Sequence, residues 1–249
     1  MHAQDTQWLT PLNTRQQTDI RLICFSQAGA DPEQYRSWAP GLSQHIELLA
    51  FTLPGHGTRQ SESPYEQWSP LLEDAFAALE PYLSKPHALF GHGLGAILGY
   101  ELAKLTEARY PGQTRHLFVS GCRSPGSANA PLSLNGLAPP QLRRALLNLS
   151  APGKVTPELG VMDYQVLLRS DLKLLESWPN SSRHNLNVPM TALYGSDDPL
   201  APLESMFNWR NFTAREFELI EVGGNHFFIT TARQRLLQII NTHLGLLSE

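Results

Sequence analysis

Apolar residues along this chain gather into short runs separated by longer amphipathic stretches. Arg21-Leu-Ile-Cys-Phe25 is closed by Ser26-Gln-Ala-Gly29, which predicts a strand ending in a loop. A helical stretch is expected around Pro32–Ser43, then a strand over Ile46–Thr52 ending at Pro54-Gly-His-Gly57. From Trp68 to Leu83 the apolar positions Leu71, Leu72, Ala75, Phe76 and Leu79 share one helical face. His87–Phe90 reads as a short strand, followed by a Gly-rich turn and a helix from about Ala96 to Glu107. Further strands are expected at His116–Ser120, Pro189–Tyr194 and Glu216–Val222, and a last helix at Thr231–Leu244. Residues 1–19 are polar and read as a tail or loop.

Strands alternating with helices predict an α/β fold with a parallel sheet covered on both faces. The alternation lapses over residues 124–186, where Pro-rich loops and two helical pieces, Pro139–Leu149 and Met162–Ser177, show no strand pattern. That stretch is expected to be a helical lid inserted into one domain spanning residues 1–249. Composition narrows the class: 41% hydrophobic and 17% charged residues supply a core and exclude disorder as the main state. A net charge of −4 offers no basic surplus for nucleic acid. The most apolar stretch, His87 to Ala103, holds two histidines, four glycines and Glu101, so no membrane span is expected. No secretory signal is readable at the N-terminus, and Cys24 and Cys122 are expected to be reduced, buried thiols of a cytoplasmic protein.

The chemistry concentrates at Phe90-Gly-His-Gly-Leu-Gly-Ala96, between a strand and a helix. Gly91, Gly93 and Ala96 fit a dinucleotide-binding turn, G-x-G-x-x-G/A. Gly91 and Gly95 equally fit a nucleophile elbow, G-x-S-x-G, with Gly93 where serine belongs. The dinucleotide reading requires a carboxylate at the end of the next strand, and that strand ends at Ser120 without one. The elbow reading requires an acid and then a histidine after later strands. Asp198, in Gly195-Ser-Asp-Asp-Pro199, and His226, in Glu221-Val-Gly-Gly-Asn-His226, stand in that order. Asp197 competes with Asp198 for the acid role.

Together these segments resemble the type II (external) thioesterases of non-ribosomal peptide, polyketide and siderophore biosynthesis, within the α/β-hydrolase superfamily. The resemblance runs from about residue 20 to 244. It rests on Cys24-Phe-Ser-Gln-Ala-Gly29 with Tyr35-Arg-Ser-Trp38, Leu53-Pro-Gly-His-Gly-Thr-Arg59, the elbow with Glu101-Leu-Ala103, Leu168-Arg-Ser-Asp171, Gly195–Pro199 and Gly223-Gly-Asn-His-Phe-Phe228. It implies an α/β-hydrolase fold: a mostly parallel central sheet with helices on both faces and an inserted helical lid. It implies hydrolysis of acyl or aminoacyl thioesters carried on the phosphopantetheine arm of acyl- or peptidyl-carrier proteins. The catalytic positions would be 93, Asp198 and His226, with the backbone N–H groups of Gln27 and Leu94 as the oxyanion hole. Neither metal nor cofactor is required, and the chain is expected to act as a monomer.

Two departures from the family pattern stand out. Ser26 replaces a usual proline, and Gly93 replaces the serine of G-H-S-x-G. Glycine has no hydroxyl with which to form an acyl-enzyme. Three accounts fit: an engineered or spontaneous serine-to-glycine change, a natural pseudoenzyme that binds carrier proteins or acyl groups, or direct attack by a water activated at His226. Among neighbouring residues, His92 is expected to pack and hydrogen-bond. Arg59 is expected to be a solvated loop arginine, and Arg169 and Asp171 to form a structural ion pair. The leucines of the lid region suit an apolar chamber for an acyl chain, although core packing explains most of them.

Overall fold

The computed structural model of the protein describes residues 5–15, 18–127, 136–138, 140–141, 144, 161–178 and 184–247. Seven strands form one sheet: β1 (Leu9–Pro11), β2 (Ile20–Phe25), β3 (Ile46–Phe51), β4 (His87–His92), β5 (Thr114–Ser120), β6 (Met190–Gly195) and β7 (Phe217–Val222). Their spatial order is β1-β3-β2-β4-β5-β6-β7, parallel throughout except for β1, which runs antiparallel to β3 with Leu9 opposite Phe51. The helices are α1 (Asp5–Trp8), α2 (Trp68–Leu83), α3 (Leu94–Arg109), α4 (Val161–Glu176), α5 (Leu203–Phe207), α6 (Phe228–Thr231) and α7 (Arg233–Gly245).

The central strands are apolar at consecutive positions because both faces are covered. On β2, Ile23 and Phe25 join one core with Leu89, Val119 and the buried faces of α2 and α3. Leu22 and Cys24 join the opposite core with Phe90, Phe118, Tyr35, Trp38 and Ile240 of α7. Each fully buried side chain of this size stabilises the fold by about 1.5–3 kcal/mol. Helix α3 is wrapped almost all round, with Leu94 to Tyr100 buried without interruption, so it shows little amphipathic pattern. Cys24 and Cys122 are buried free thiols, each with its pKa raised by burial.

The sequence expectations need correction in three places. Residues 1–19 are not wholly tail: Trp8 and Leu9 are buried and build α1 and β1 on the sheet edge. The stretch after Asp31 is a 3-10 helix, Pro32–Gly41, started by the Asp31 carboxylate accepting from Glu33 N–H and carrying Pro40 near its end. The last helix begins at Arg233, two residues later than expected, and a separate short helix, α6, precedes it. The expected helical piece Pro139–Leu149 falls almost wholly outside the described residues.

The chain leaves β2 toward β3 on one side and returns to β4 on the other. The strand order therefore reverses between β2 and β4, and the crevice beyond their carboxyl ends is the usual ligand position of an open α/β sheet. The loop after β2 and the turn after β4 both open there. Helix α4, inserted between β5 and β6, lays Leu168 and Leu172 over Ala28, Leu200 and Phe227, one residue from each of three strand-end loops.

Candidate active site

The turn after β4 is built by backbone crowding. A Cβ on Gly91 would lie 2.1 Å from the Gly95 carbonyl oxygen, and one on Gly95 would lie 2.2 Å from that of Phe25. Only glycine permits β4, α3 and β2 to approach so closely. Between them Gly93 takes φ 54°, ψ −120°, the strained turn expected of a nucleophile elbow, and caps α3. Its N–H donates to Ser120 O at 3.0 Å, and its carbonyl accepts from Ala96 N–H at 3.0 Å. The helix thus begins at Leu94, two residues earlier than the glycine-rich sequence suggested. A Cβ at position 93 would stand 4.0 Å from His226 Nε2 and 3.1 Å from Gln27 Cβ. A hydroxyl one bond beyond it would come within hydrogen-bonding reach of the imidazole.

Asp198 and His226 meet directly. His226 Nδ1 lies 2.8 Å from Asp198 Oδ2. The other carboxylate oxygen, Oδ1, accepts from the N–H groups of Leu200 at 2.9 Å and Ala201 at 3.4 Å. A carboxylate only accepts, so Nδ1 carries a proton, and Nε2 is the ring nitrogen turned toward position 93. Burial works to raise the Asp198 pKa, but the hydrogen bond and charge of His226 outweigh it and hold the carboxyl below its ordinary value. Asp197, the competing acid, is exposed and accepts from Ser196 Oγ at 3.1 Å.

The loop after β2 and the start of α3 supply the remaining groups. Ala30 N–H donates to Gln27 O at 3.1 Å, closing a four-residue turn, with Gly29 at φ 72° in the position where a type II turn demands positive φ. The side chains of Gln27 and Gln34 exchange hydrogen bonds at 3.2 and 3.4 Å and fix the start of that turn. Among the described residues Gln27 N–H has no acceptor. Leu94 opens α3, so its N–H has no partner within the helix. Two amides beside position 93 are thus available to an oxyanion. A recess lined by Phe25, Phe51, Leu53, Leu94 and Leu98, with Ser26, Gln27 and His56 also in its wall, adjoins them.

The surrounding residues divide between expectation and correction. His92 is fully buried; its Nδ1 is 2.8 Å from Ser120 Oγ and its Nε2 2.9 Å from His226 O. Because a carbonyl can only accept, Nε2 carries the proton and anchors the His226 backbone. Burial, and then the neighbouring His226 charge, lower the His92 pKa to about 3, so the ring is neutral. Arg59 is not solvated: it is 6% exposed, stacks 3.9 Å above the Trp8 ring, and donates to Thr52 O and the Glu62 carboxylate. The expected pairing of Arg169 with Asp171 is replaced. Asp171 Oδ2 takes His56 Nε2 at 2.8 Å and Gly29 N–H at 2.7 Å, while Arg169 donates to Leu137 O. Sequence reasoning assigned His56 no part in this region. Its signal was the Pro54-Gly-His-Gly57 turn, whose partner lies 115 residues further on. No group of three or more metal-ligating side chains occurs among the described residues.

A thioesterase-domain family profile matches residues 20–244. Among curated proteins, the chain is 29% identical to linear gramicidin dehydrogenase LgrE of Brevibacillus parabrevis, over 98% of this chain and 94% of that one. Among solved structures, the RedJ thioesterase from the prodiginine pathway of Streptomyces coelicolor superposes with TM-score 0.82 at 35% identity. That match covers 91% of this chain and 86% of RedJ. BorB, a type II thioesterase from the borrelidin biosynthetic cluster, gives TM-score 0.85 at 27% identity, over 98% and 99% of the two chains. The α/β-hydrolase sheet, the elbow at its switch point and a family match across nearly the whole length lead to one assignment: the chain belongs to the thioesterase family.

Proposed function

We propose that this chain is a type II thioesterase scaffold for acyl or aminoacyl groups held on the phosphopantetheine arm of carrier proteins, and that Gly93 impairs its hydrolysis. The observation that carries this reading is the 4.0 Å between a Cβ at position 93 and His226 Nε2, with Asp198 behind the ring. With serine there, Oγ would attack the thioester carbonyl while His226 Nε2 takes its proton. The proton would pass to the leaving thiolate as the C–S bond breaks, giving a free thiol and an acyl-serine. Water, activated by the same nitrogen, would then release the acid and regenerate the serine. Gln27 and Leu94 N–H would hold the oxyanion in both steps, and Asp198 would keep Nδ1 protonated. Helix α4, set over three of the loops involved, would serve as part of the lid inserted within residues 124–186.

The pathways named for RedJ and BorB support carrier-bound acyl groups as the substrate class. The second reading is a dinucleotide site at the glycine-rich turn, and the naming of LgrE as a dehydrogenase is what speaks for it. Against it, β5 ends at Ser120, whose hydroxyl already meets His92 Nδ1, so the ribose has no carboxylate to bind. The test compares this chain with Gly93→Ser on acyl-CoA and acyl-carrier protein. The serine form is expected to gain roughly 10³-fold or more in kcat. Asp198→Asn in that background should remove most of the gain, and Asp197→Asn should leave it. Inactivity of both forms with retained carrier binding would instead support the non-catalytic binding module. Substantial hydrolysis by the Gly93 chain, abolished by His226→Ala, would support direct attack by water.

A further inference from the structure

Three chain segments far apart in sequence meet at one carboxylate oxygen. Asp171 Oδ2, on α4, accepts from Gly29 N–H at 2.7 Å and from His56 Nε2 at 2.8 Å. His56 Nδ1 lies 3.2 Å from Pro54 O. Both partners of the ring can only accept, so His56 carries both ring protons and forms a buried ion pair with Asp171. Each residue is at most 4% exposed. Burial disfavours that imidazolium, but the hydrogen bond and charge of Asp171 outweigh it and hold the His56 pKa above its ordinary value.

The position of Gly29 gives the contact its consequence. Gly29 is the third residue of the Gln27–Ala30 turn, whose own closing bond runs from Ala30 N–H to Gln27 O. The Gly29 N–H points out of that turn, and Asp171 takes it. Two residues earlier stands Gln27, whose Cα would lie 3.6 Å from a Cβ at position 93 and whose N–H has no acceptor among the described residues. A turn with φ 72° at its glycine is one of several conformations a glycine-containing loop can adopt. A charge-assisted bond to its outer amide selects this one.

We propose that Asp171 is a positioning residue: by clasping Gly29 N–H from α4, it sets the turn that aims the Gln27 amide, so the oxyanion hole is complete only when α4 is seated. His56 holds the same Asp171 oxygen and anchors the contact to the loop after β3. Leu168 and Leu172, packed on Ala28, Leu200 and Phe227, add apolar contact to the same seating. A substrate that displaced α4 would thereby loosen the hole, and reseating would restore it. This rests on the thioesterase reading for the role of Gln27, but not for the contact itself.

The test has two arms. In the unaltered Gly93 chain, amide hydrogen exchange at Gly29 should accelerate about tenfold or more in Asp171→Ala. Asp171→Asn, which keeps an acceptor oxygen, should return it to within about threefold of the parent. In the Gly93→Ser background, Asp171→Ala should lower kcat roughly 10- to 100-fold with KM changed by less than about threefold, and Asp171→Asn should recover most of kcat. Unchanged exchange at Gly29 in Asp171→Ala would overturn the clasp. Accelerated exchange with unchanged kcat, or equal kcat losses in the alanine and asparagine forms, would overturn the positioning role. Should Gly93→Ser itself gain no activity, the thioesterase reading fails, and the exchange arm alone decides whether Asp171 sets the turn.

Discussion

At position 93 the residue that suits the backbone is not the residue that suits acyl transfer. At φ 54°, ψ −120° an L side chain is strained by about 1–3 kcal/mol, which glycine avoids. The flanking glycines answer a different demand, since a Cβ there would enter neighbouring backbone. This separates their substitutions. Gly93→Ala should cost about 1–2 kcal/mol, because its nearest neighbour would be Gln27 Cβ at 3.1 Å, a contact that can yield. Gly95→Ala would place Cβ 2.2 Å from Phe25 O in the middle of the sheet. It should cost more than about 3 kcal/mol or prevent folding. Urea unfolding of the two variants checks the ordering; equal losses would contradict the crowding account. The spacing of Gly91, Gly93 and Gly95 was plain in the sequence. That it serves an elbow, with two glycines needed for close approach and one for its dihedral, required the neighbouring backbone of β2.

At the scale of elements, the long periodic or apolar segments were legible, and the failures have particular causes. Helix α2 falls on Trp68–Leu83 as its single apolar face suggested. Strand β1 escaped notice because three residues carry no readable period. Its anchor is Trp8, which packs on Phe51 at 5.4 Å between ring centroids and receives the Arg59 guanidinium at 3.9 Å. That same stacking is why Arg59 is buried and not solvated: an aromatic face, a carbonyl and the Glu62 carboxylate replace its water. Trp8→Ala should therefore destabilise the fold by about 3 kcal/mol. It should also raise exchange along this edge, including at Thr52 N–H, just past β3, which donates to Trp8 O. A loss below about 1 kcal/mol in thermal unfolding would show that the edge contributes little.

At the scale of the molecule, the candidate site is assembled from strand ends. β2 supplies Gln27, β4 the elbow, β6 Asp198 and β7 His226, and the sheet order brings them to one crevice. The Asp198–His226 contact joins two of these ends, and its linkage has a definite sign. A carboxyl held below its ordinary pKa contributes stability that is complete above the unfolded value near 4, and that is lost as pH falls through the folded value. Acid unfolding between about pH 5 and 2 should thus be steeper for the parent chain than for Asp198→Asn, read by circular dichroism along the pH series. Parallel curves for the two proteins would remove that linkage.

The sequence by itself determined the alternation of strands and helices, the glycine spacing after β4, and the chain order of position 93, Asp198 and His226, because these depend on local periodicity and local turn chemistry. It favoured Asp198 over Asp197 from its place three residues after Gly195, but it did not determine that Asp171 meets His56 and Gly29 and not Arg169, or that residues 9–11 join the sheet. Those depend on which groups long-range packing brings within about 3 Å, a distance at which a hydrogen bond exists or does not. Only the tertiary structure settles such contacts, since a one-residue shift in a strand-end loop turns a buried partner into a solvated one.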